Sequence, residues 1–231
     1  MKLANVTRFF LGLGLIFLFI ATGAYASPNL IVDGSFESPT VAAGNLTDFA
    51  GGQSIGAWQV LGNDVTQLST TYAETGNGMI AFNAQSGLVS LDLTGMGNTG
   101  PTNGVVQSVT TAAGGHYQLS FWVGVAYGSQ SFYQLPATVN LSIAGTSVGS
   151  YTNSTLSNYG YVTWEQFTTS FIANATSTSI AFYNGTPTTN NFAGLDNVSL
   201  VALPEPCGML WPLLAIALAF SPVKIQARRR C

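Results

Sequence analysis

Short stretches of alternating apolar and polar residues run along the chain between residues 27 and 203. In Leu88 to Leu93, for example, Val89, Leu91 and Leu93 fall on one face of an extended chain and the intervening side chains fall on the other. Turn-forming Gly, Asn, Ser and Thr residues separate these stretches, and no long window has a helical period. The pattern predicts an all-β, antiparallel β-sandwich with strands at 29–33, 57–61, 64–68, 88–93, 105–109, 116–126, 137–143, 146–151, 161–173, 179–184 and 195–202.

Some boundaries of this single domain are set by turn residues. Ala144-Gly145 between two predicted strands indicates a hairpin turn. Residues 95–104 and 150–160 are predicted loops, because they are rich in Gly, Asn, Ser and Thr.

The N-terminus has a different pattern. Lys2 and Arg8 precede an apolar core at residues 9–20, and Ala24-Tyr25-Ala26 follows. This order of basic region, apolar core and small-residue cleavage site is typical of a secretory signal peptide. We therefore assign residues 1–26 to a signal peptide that forms a helix. An uncleaved N-terminal anchor is the alternative.

The C-terminal segment, residues 203–231, is also apolar with a basic end. Pro204-Glu205-Pro206 precedes an apolar run at 207–223, and Arg228, Arg229 and Arg230 follow. The run has about the shortest length that spans a bilayer, and the Arg cluster would hold its far end in the cytoplasm. This arrangement resembles the PEP-CTERM sorting signal of Gram-negative bacteria. The resemblance implies a transient transmembrane helix, an exosortase partner, cleavage near Pro-Glu-Pro and a cell-surface or extracellular location; an ordinary tail anchor is the alternative.

Charge narrows the choice of partners for the domain between these ends, residues 27–202. All six Lys and Arg residues lie in the two terminal segments, whereas eight of the nine Asp and Glu residues, all except Glu205, lie between them. A domain without cations cannot neutralise phosphates, so nucleic acid is excluded as a partner. Neutral ligands and cations remain.

Catalytic side chains are scarce in this domain. Both cysteines, Cys207 and Cys231, lie in the C-terminal segment, and His116 is the one histidine. A zinc site needs more nitrogen or sulfur ligands than these supply, and no nucleophile elbow is present. A glycosidase needs two placed carboxylates, and nothing in the sequence selects a pair. We expect no enzyme activity.

Several short motifs follow one another in a recognisable order. They are Asn29-Leu-Ile-Val-Asp-Gly-Ser-Phe-Glu37, Ala57-Trp58, Leu91-Asp-Leu-Thr-Gly95, Val106-Gln-Ser-Val-Thr110, Tyr117-Gln-Leu-Ser-Phe121 and Leu195-Asp-Asn-Val-Ser-Leu200. Their order resembles the galactose-binding-like jelly rolls of the DUF642 type, over nearly all of residues 29–202. The resemblance implies an eight-stranded jelly roll with its first and last strands paired. Residues 127–134 match no part of that group.

That pairing would bring two carboxylates together. Glu37 follows the first predicted strand and Asp196 opens the last, with no cation to neutralise them. Binding of a hard cation between two carboxylates usually neutralises such repulsion. Related carbohydrate-binding jelly rolls often hold structural Ca²⁺ at this corner, so we expect Ca²⁺ bound by Glu37 and Asp196, with backbone oxygens from the turn at Asp33 to Ser35. The alternative is that both carboxylates accept backbone hydrogen bonds and bind no metal. Asp92 is expected to order its own turn.

Aromatic residues in loops are the candidate ligand contacts. Tyr127, Phe132, Tyr133 and Tyr159 lie in predicted loops, where flat rings can stack on neutral sugar faces. The alternative is that these rings anchor the loops to the sandwich. The sequence thus predicts an exported surface protein that binds neutral carbohydrate or associates with exopolysaccharide. A purely structural surface protein is the alternative, and a secreted glycoside hydrolase is a third.

Overall fold

A computed structural model describes residues 27–204, apart from 77–79, 99, 129–131, 157–158, 188–189 and 191. The described part of the chain contains fourteen strands and no helix. They are β1 (Leu46–Ala50), β2 (Ser54–Ile55), β3 (Trp58–Leu61), β4 (Asp64–Ser69), β5 (Ala73–Glu74), β6 (Ile80–Ala81), β7 (Val89–Asp92), β8 (Gly104–Thr110), β9 (His116–Ala126), β10 (Ala137–Ile143), β11 (Thr146–Asn153), β12 (Val162–Ile172), β13 (Ser177–Asn184) and β14 (Gly194–Ala202).

These strands form two six-stranded antiparallel sheets and one small hairpin. The first sheet has the order β1-β4-β7-β14-β9-β12, the second has the order β11-β10-β13-β8-β3-β2, and β5 pairs with β6. The chain repeatedly crosses from one sheet to the other, so the fold is a jelly-roll-like β-sandwich. The all-β prediction is confirmed for the described residues.

The core lies between the two sheets. In β9 the odd-numbered residues from Tyr117 to Val125 are buried, and β10 buries Val139 and Leu141 in the same alternating way. Trp58 and Phe182 are fully buried, and their ring centroids lie 6.1 Å apart. All fourteen strands and both apolar clusters belong to residues 27–204, so this segment carries a complete core of its own.

The opening segment differs from the prediction, because residues 29–33 form no strand. The segment still runs beside β14: the Leu30 amide donates to the Leu200 carbonyl at 2.8 Å, and the Val198 amide donates to the Gly34 carbonyl at 2.8 Å. These two bonds are too far apart to form a β-ladder. The backbones are nevertheless close, because a Cβ at Gly34 would lie only 2.0 Å from the Val198 carbonyl oxygen. The opening segment therefore lies next to β14 as predicted, but it does not form a strand.

Two other boundaries test the turn predictions. Ala144 and Gly145 have φ values of 50° and 77°, as a tight hairpin turn between β10 and β11 requires, so that prediction is confirmed. The predicted loop at 150–160 began too early, because β11 continues to Asn153, whose side chain donates to the Val123 and Thr163 carbonyls.

Both ends of the domain leave the sandwich at the same place. The Leu30 amide bonds to Leu200, and the Leu203 amide donates to the His116 carbonyl at 2.8 Å. Within the described ranges, no helix is long and apolar enough to cross a bilayer. The predicted helices at 1–26 and 207–223 lie outside those ranges.

Candidate functional site

A cleft of about 240 Å³ opens beside the first sheet. Its walls come from four separate parts of the chain: the β1–β4 edge, the β5–β6 hairpin, the end of β7 and the loop before β10. The lining residues are Leu46, Thr66, Leu68, Tyr72, Glu74, Phe82, Asp92, Gly95, Met96, Gly97, Phe132 and Tyr133.

Aromatic rings form one side of the cleft. Phe82 contacts Tyr72 and Tyr133, each at a centroid distance of 5.6 Å, and packs on buried Phe192 at 5.1 Å. Phe132 lies beside them with 45% of its surface exposed. Packed rings hold a fixed surface at low entropic cost, so a ligand would meet a preformed apolar wall with one exposed ring.

Tyr133 and Glu74 form a polar pair within this wall. The Tyr133 hydroxyl donates a hydrogen bond to Glu74 Oε2. Burial is the first cause of a raised pKa for the Tyr133 hydroxyl, and the bond to Glu74 raises that pKa further. Tyr133 therefore stays a neutral phenol, and its ring is held by both packing and hydrogen bonding.

Asp92 supplies a second carboxyl group to the cleft. Its Oδ1 accepts hydrogen bonds from the Thr94 amide at 2.9 Å, the Thr94 hydroxyl at 2.8 Å and the Ala193 amide at 3.1 Å. Among the described residues, none donates to Oδ2. The bonds to Thr94 confirm that Asp92 orders its own turn, and they leave Oδ2 available to a ligand.

The environment of Asp92 favours its neutral form. Burial raises the pKa of the Asp92 carboxyl from 3.8 to about 7, against the lowering effect of its hydrogen bonds, and nearby Asp64 raises it slightly more. At neutral pH the group is thus close to half protonated, so it can donate or accept a hydrogen bond. An aromatic wall with two carboxyl groups and no cation suits a neutral ligand that carries hydroxyl groups.

The structure divides the four predicted ligand contacts into two pairs. Phe132 and Tyr133 line the cleft, whereas Tyr127 and Tyr159 form an edge-to-face pair with a centroid distance of 6.1 Å. Neither member of that second pair lines the cleft, although Tyr159 is 53% exposed. Tyr133 is 9% exposed, so it also anchors its loop, as the alternative interpretation proposed.

Most other cleft residues were missed by sequence reasoning. Tyr72, Glu74 and Met96 come from segments far from the loop that holds Phe132, and only the folded chain brings these segments together. Asp64 is 9% exposed; it accepts the Met96 amide at 2.9 Å and so fixes one rim of the cleft. The sequence carried no local signal for either result.

The predicted calcium corner has a different arrangement from the one expected. Asp196 Oδ2 accepts the Gln85 and Ser86 amides at 2.8 and 3.0 Å, and Glu37 Oε1 accepts the Leu88 and Val89 amides at 2.8 and 3.2 Å. The two carboxylates therefore accept hydrogen bonds from opposite ends of one segment, residues 85–89.

Asp33 has a local role at the same corner. Its Oδ1 accepts the Glu37 amide at 2.8 Å and its Oδ2 accepts the Ser38 amide at 3.2 Å. In the part of the chain that the structure describes, no three Asp, Glu, His or Cys side chains could hold one metal ion together, but the predicted site needs only Glu37 and Asp196 with backbone oxygens of the turn at 33–35. Ca²⁺ at this corner stays a prediction, and the observed bonds match the alternative in which backbone amides are the partners.

Asp196 is the more strongly perturbed of these carboxyl groups. Burial raises its pKa from 3.8 to about 7; the amides of Ser86, Asn197 and Gln85 lower it, and Glu37 raises it again.

Of the predicted sorting residues, Pro204 is exposed at the end of the described chain, whereas Glu205, Pro206 and Arg228, Arg229 and Arg230 lie outside the described residues.

Comparison with solved structures finds similar folds. The chain is similar to the Stig cyclase Fisc of Fischerella sp. TAU, solved with (3Z)-3-(1-methyl-2-pyrrolidinylidene)-3H-indole, at 16% identity over 78% of this chain and 99% of that one, with a TM-score of 0.54. A cyclase from the same organism in complex with 4-(1H-indol-3-yl)butan-2-one gives 16% identity, 80% and 100% coverage, and a TM-score of 0.53. At these identities the likeness concerns the fold alone.

A structure described as CBM4 is also similar, at 15% identity over 75% of this chain and 99% of that one, but its TM-score of 0.38 is too low to support an argument. A search of curated proteins finds no match. The family described as "Protein of unknown function (DUF642)" matches residues 29–200. That match covers most of the chain and agrees with the motifs and the β-sandwich, and the protein therefore belongs to the DUF642 family.

Proposed function

We propose that the protein is an exported, exosortase-sorted surface protein that binds a neutral carbohydrate in the cleft formed by the β5–β6 hairpin, the end of β7 and the loop before β10. The observation that carries this proposal is the composition of the cleft: an aromatic wall, the exposed ring of Phe132, and the carboxyl groups of Asp92 and Glu74 with no cation. Sugar rings offer apolar faces for stacking and hydroxyl groups for such carboxyl groups.

The export part of the proposal rests on the terminal segments, and the placement of the cleft supports it. Ala202 pairs with Tyr117 at the end of the sandwich where both termini leave, whereas Asp92 of the cleft pairs with Gly194. Eight residues along β14 at about 3.3 Å each separate these positions by roughly 26 Å. A domain held at the surface by its C-terminal segment would thus present its cleft away from the membrane.

The carbohydrate proposal is tested with the 27–204 domain on an array of neutral glycans. Phe132→Ala removes the exposed ring, and Leu156→Ala is the matched control, because Leu156 is 73% exposed and does not line the cleft. We expect binding that Phe132→Ala weakens at least tenfold and that Leu156→Ala leaves unchanged. The absence of binding to any glycan would instead favour a purely structural surface protein.

Asp92 favours a second candidate function, in which the cleft is the site of an acid-catalysed reaction on a neutral substrate. A carboxyl group with a pKa of about 7 and an available Oδ2 is a suitable proton donor at neutral pH. The cyclases named above use a similar fold with indole compounds bound, which makes such compounds reasonable probes. Turnover that Asp92→Asn abolishes while binding persists would support catalysis, whereas binding without turnover supports the carbohydrate-binding function.

A further inference from the structure

Two edge strands lie next to each other on one flank of the sandwich. Strand β12 ends the first sheet and β11 ends the second, and the rings of Tyr151 in β11 and Phe167 in β12 contact each other at 5.5 Å. An edge strand presents a row of backbone N–H and C=O groups to solvent. Asn83 caps only the start of β12, through bonds to the Val162 amide and carbonyl. We call this flank, residues 146–153 and 164–172, the open edge.

Strand β12 of the open edge lacks the features that usually prevent strands from pairing between molecules. Natural edge strands are protected by charged residues, proline or bulges. Strand β11 has no charged residue and no proline, but its register with β10 shifts at Val148, as in a β-bulge. The eleven residues of β12 pair with β9 in one unbroken register and contain a single charged residue, Glu165. The other seven acidic residues of the domain all lie between Asp33 and Asp92 or at Asp196.

The core is also incompletely covered at this flank. Tyr151, Phe167 and Phe171 pack on the main core but are only partly buried. Beside them, a groove of about 200 Å³ has a mixed lining of six apolar and three polar residues, and its apolar residues Val148 and Ile172 are 43% and 60% exposed. Apolar surface at a sheet edge favours a partner that continues the sandwich.

We infer that a second copy of this chain docks on the open edge, strand to strand. The charge distribution favours this edge over the other surfaces for contact between copies. The domain carries eight acidic residues and no cation, so two copies repel each other along most directions, whereas the open edge adds only Glu165 from each copy. The same surface can meet itself about a two-fold axis.

The sequence of β12 suits such self-pairing. Antiparallel pairing of two β12 strands centred on Phe167 places Glu165 of each copy opposite Thr169 of the other, so the like charges do not face each other. Exposed Thr168 and Ser170 offer hydroxyl groups along the same strand. This pairing extends the first sheet from six strands to twelve over residues 164–170, because Asn83 and Asn153 already bond the backbone at residues 162 and 163.

The test is sedimentation velocity of the 27–204 domain from about 1 to 200 µM. We expect a monomer–dimer equilibrium that Thr168→Asp weakens at least tenfold. In this pairing residue 168 lies opposite residue 166 of the other copy, so the two new carboxylates lie on the same face of the sheet, diagonally across from each other. The matched control is Thr47→Asp, which adds the same charge at an exposed position of β1, the opposite edge of the same sheet. Thr47→Asp should leave the dimer intact.

Hydrogen exchange of the unsubstituted protein supplies a second readout that does not depend on the variants folding. Protection at residues 146–153 and 164–172 should rise with protein concentration, while protection in β1 should not. The inference is overturned by a monomer at every concentration, by a dimer that both substitutions weaken equally or neither weakens, or by concentration-dependent protection elsewhere. A monomer that binds phosphatidylethanolamine vesicles through this edge would assign it to lipid instead.

Discussion

Replacing Asp92 with Asn should change how the stability of the domain depends on pH. The folded domain raises the pKa of this carboxyl from 3.8 to about 7. Between these two values, the folded protein keeps the proton and the unfolded chain has lost it. A group that binds its proton more tightly when folded stabilises the protein at low pH, and that contribution is lost as pH rises through the folded-state pKa.

The size of the effect follows from the two pKa values. At pH 5 the folded-state carboxyl is protonated and the unfolded one is ionised, and the difference disappears by pH 8. The loss of stability across this interval corresponds to about two pH units, or roughly 2.7 kcal/mol, since each unit is worth about 1.36 kcal/mol. With a urea m-value of about 2 kcal/mol per M, the midpoint of unfolding should fall by roughly 1.3 M.

The assay is urea unfolding of the 27–204 domain and its Asp92→Asn variant at pH 5, 6, 7 and 8. Asn cannot ionise, and its carbonyl oxygen can still accept the Thr94 and Ala193 amides. Every other titrating group, including Asp196, is present in both proteins, so its contribution cancels in the difference. The variant should gain about 2.7 kcal/mol relative to the unsubstituted domain between pH 5 and 8.

Parallel pH profiles for the two proteins would refute this reasoning. They would show that Asp92 titrates near its ordinary value, and that the cleft is wetter and more polar than its lining indicates. The acid-catalysis candidate would then lose its proton donor.

Three further predictions concern the opening segment and its corner. Gly34→Ala should lower stability by more than about 2 kcal/mol in thermal melts, because its Cβ would meet the Val198 carbonyl at 2.0 Å, whereas Gly149→Ala, with open space around it, should change stability by less than about 0.5 kcal/mol. Asp196→Ala should cost about 2–4 kcal/mol in urea unfolding at pH 8, because it leaves three partly buried backbone amides without an acceptor; a neutral result would show that water replaces the carboxylate. EDTA should leave the melting temperature unchanged, since amides already bind Glu37 and Asp196; a fall of several degrees would support the calcium prediction.

The strands were largely predictable from the sequence, and the reason is local. β9 and β10 alternate apolar and polar residues, and the hairpin at Ala144-Gly145 is set by the backbone conformations that its two residues adopt. β1 was missed because its five residues, Leu46–Ala50, bury no complete face. Residues 29–33 looked like a strand because they are apolar, but they make one backbone bond to β14 at Leu30, and the backbone of Val32 bonds to the side chain of Gln107 in β8.

The site was less predictable, because its parts are distant in the chain. Phe132 and Tyr133 were identified as aromatic residues in a loop, yet whether a loop ring faces a ligand depends on what packs behind it. The ring of Phe82 packs against Tyr133 and holds it in the cleft wall, whereas the ring of Tyr159 packs against Tyr127. The carboxylates at Glu37 and Asp196 were correctly placed near a common corner, but the amides of the intervening loop could not be foreseen.

The most direct test of the carbohydrate proposal is an NMR titration of the ¹⁵N-labelled 27–204 domain with a neutral oligosaccharide that binds on the array. The proposal predicts saturable shifts of the amides of Tyr72, Gly95, Met96 and Phe132, which surround the cleft. Shifts confined to Tyr127 and Tyr159, or no saturable shift with any neutral glycan, would contradict it.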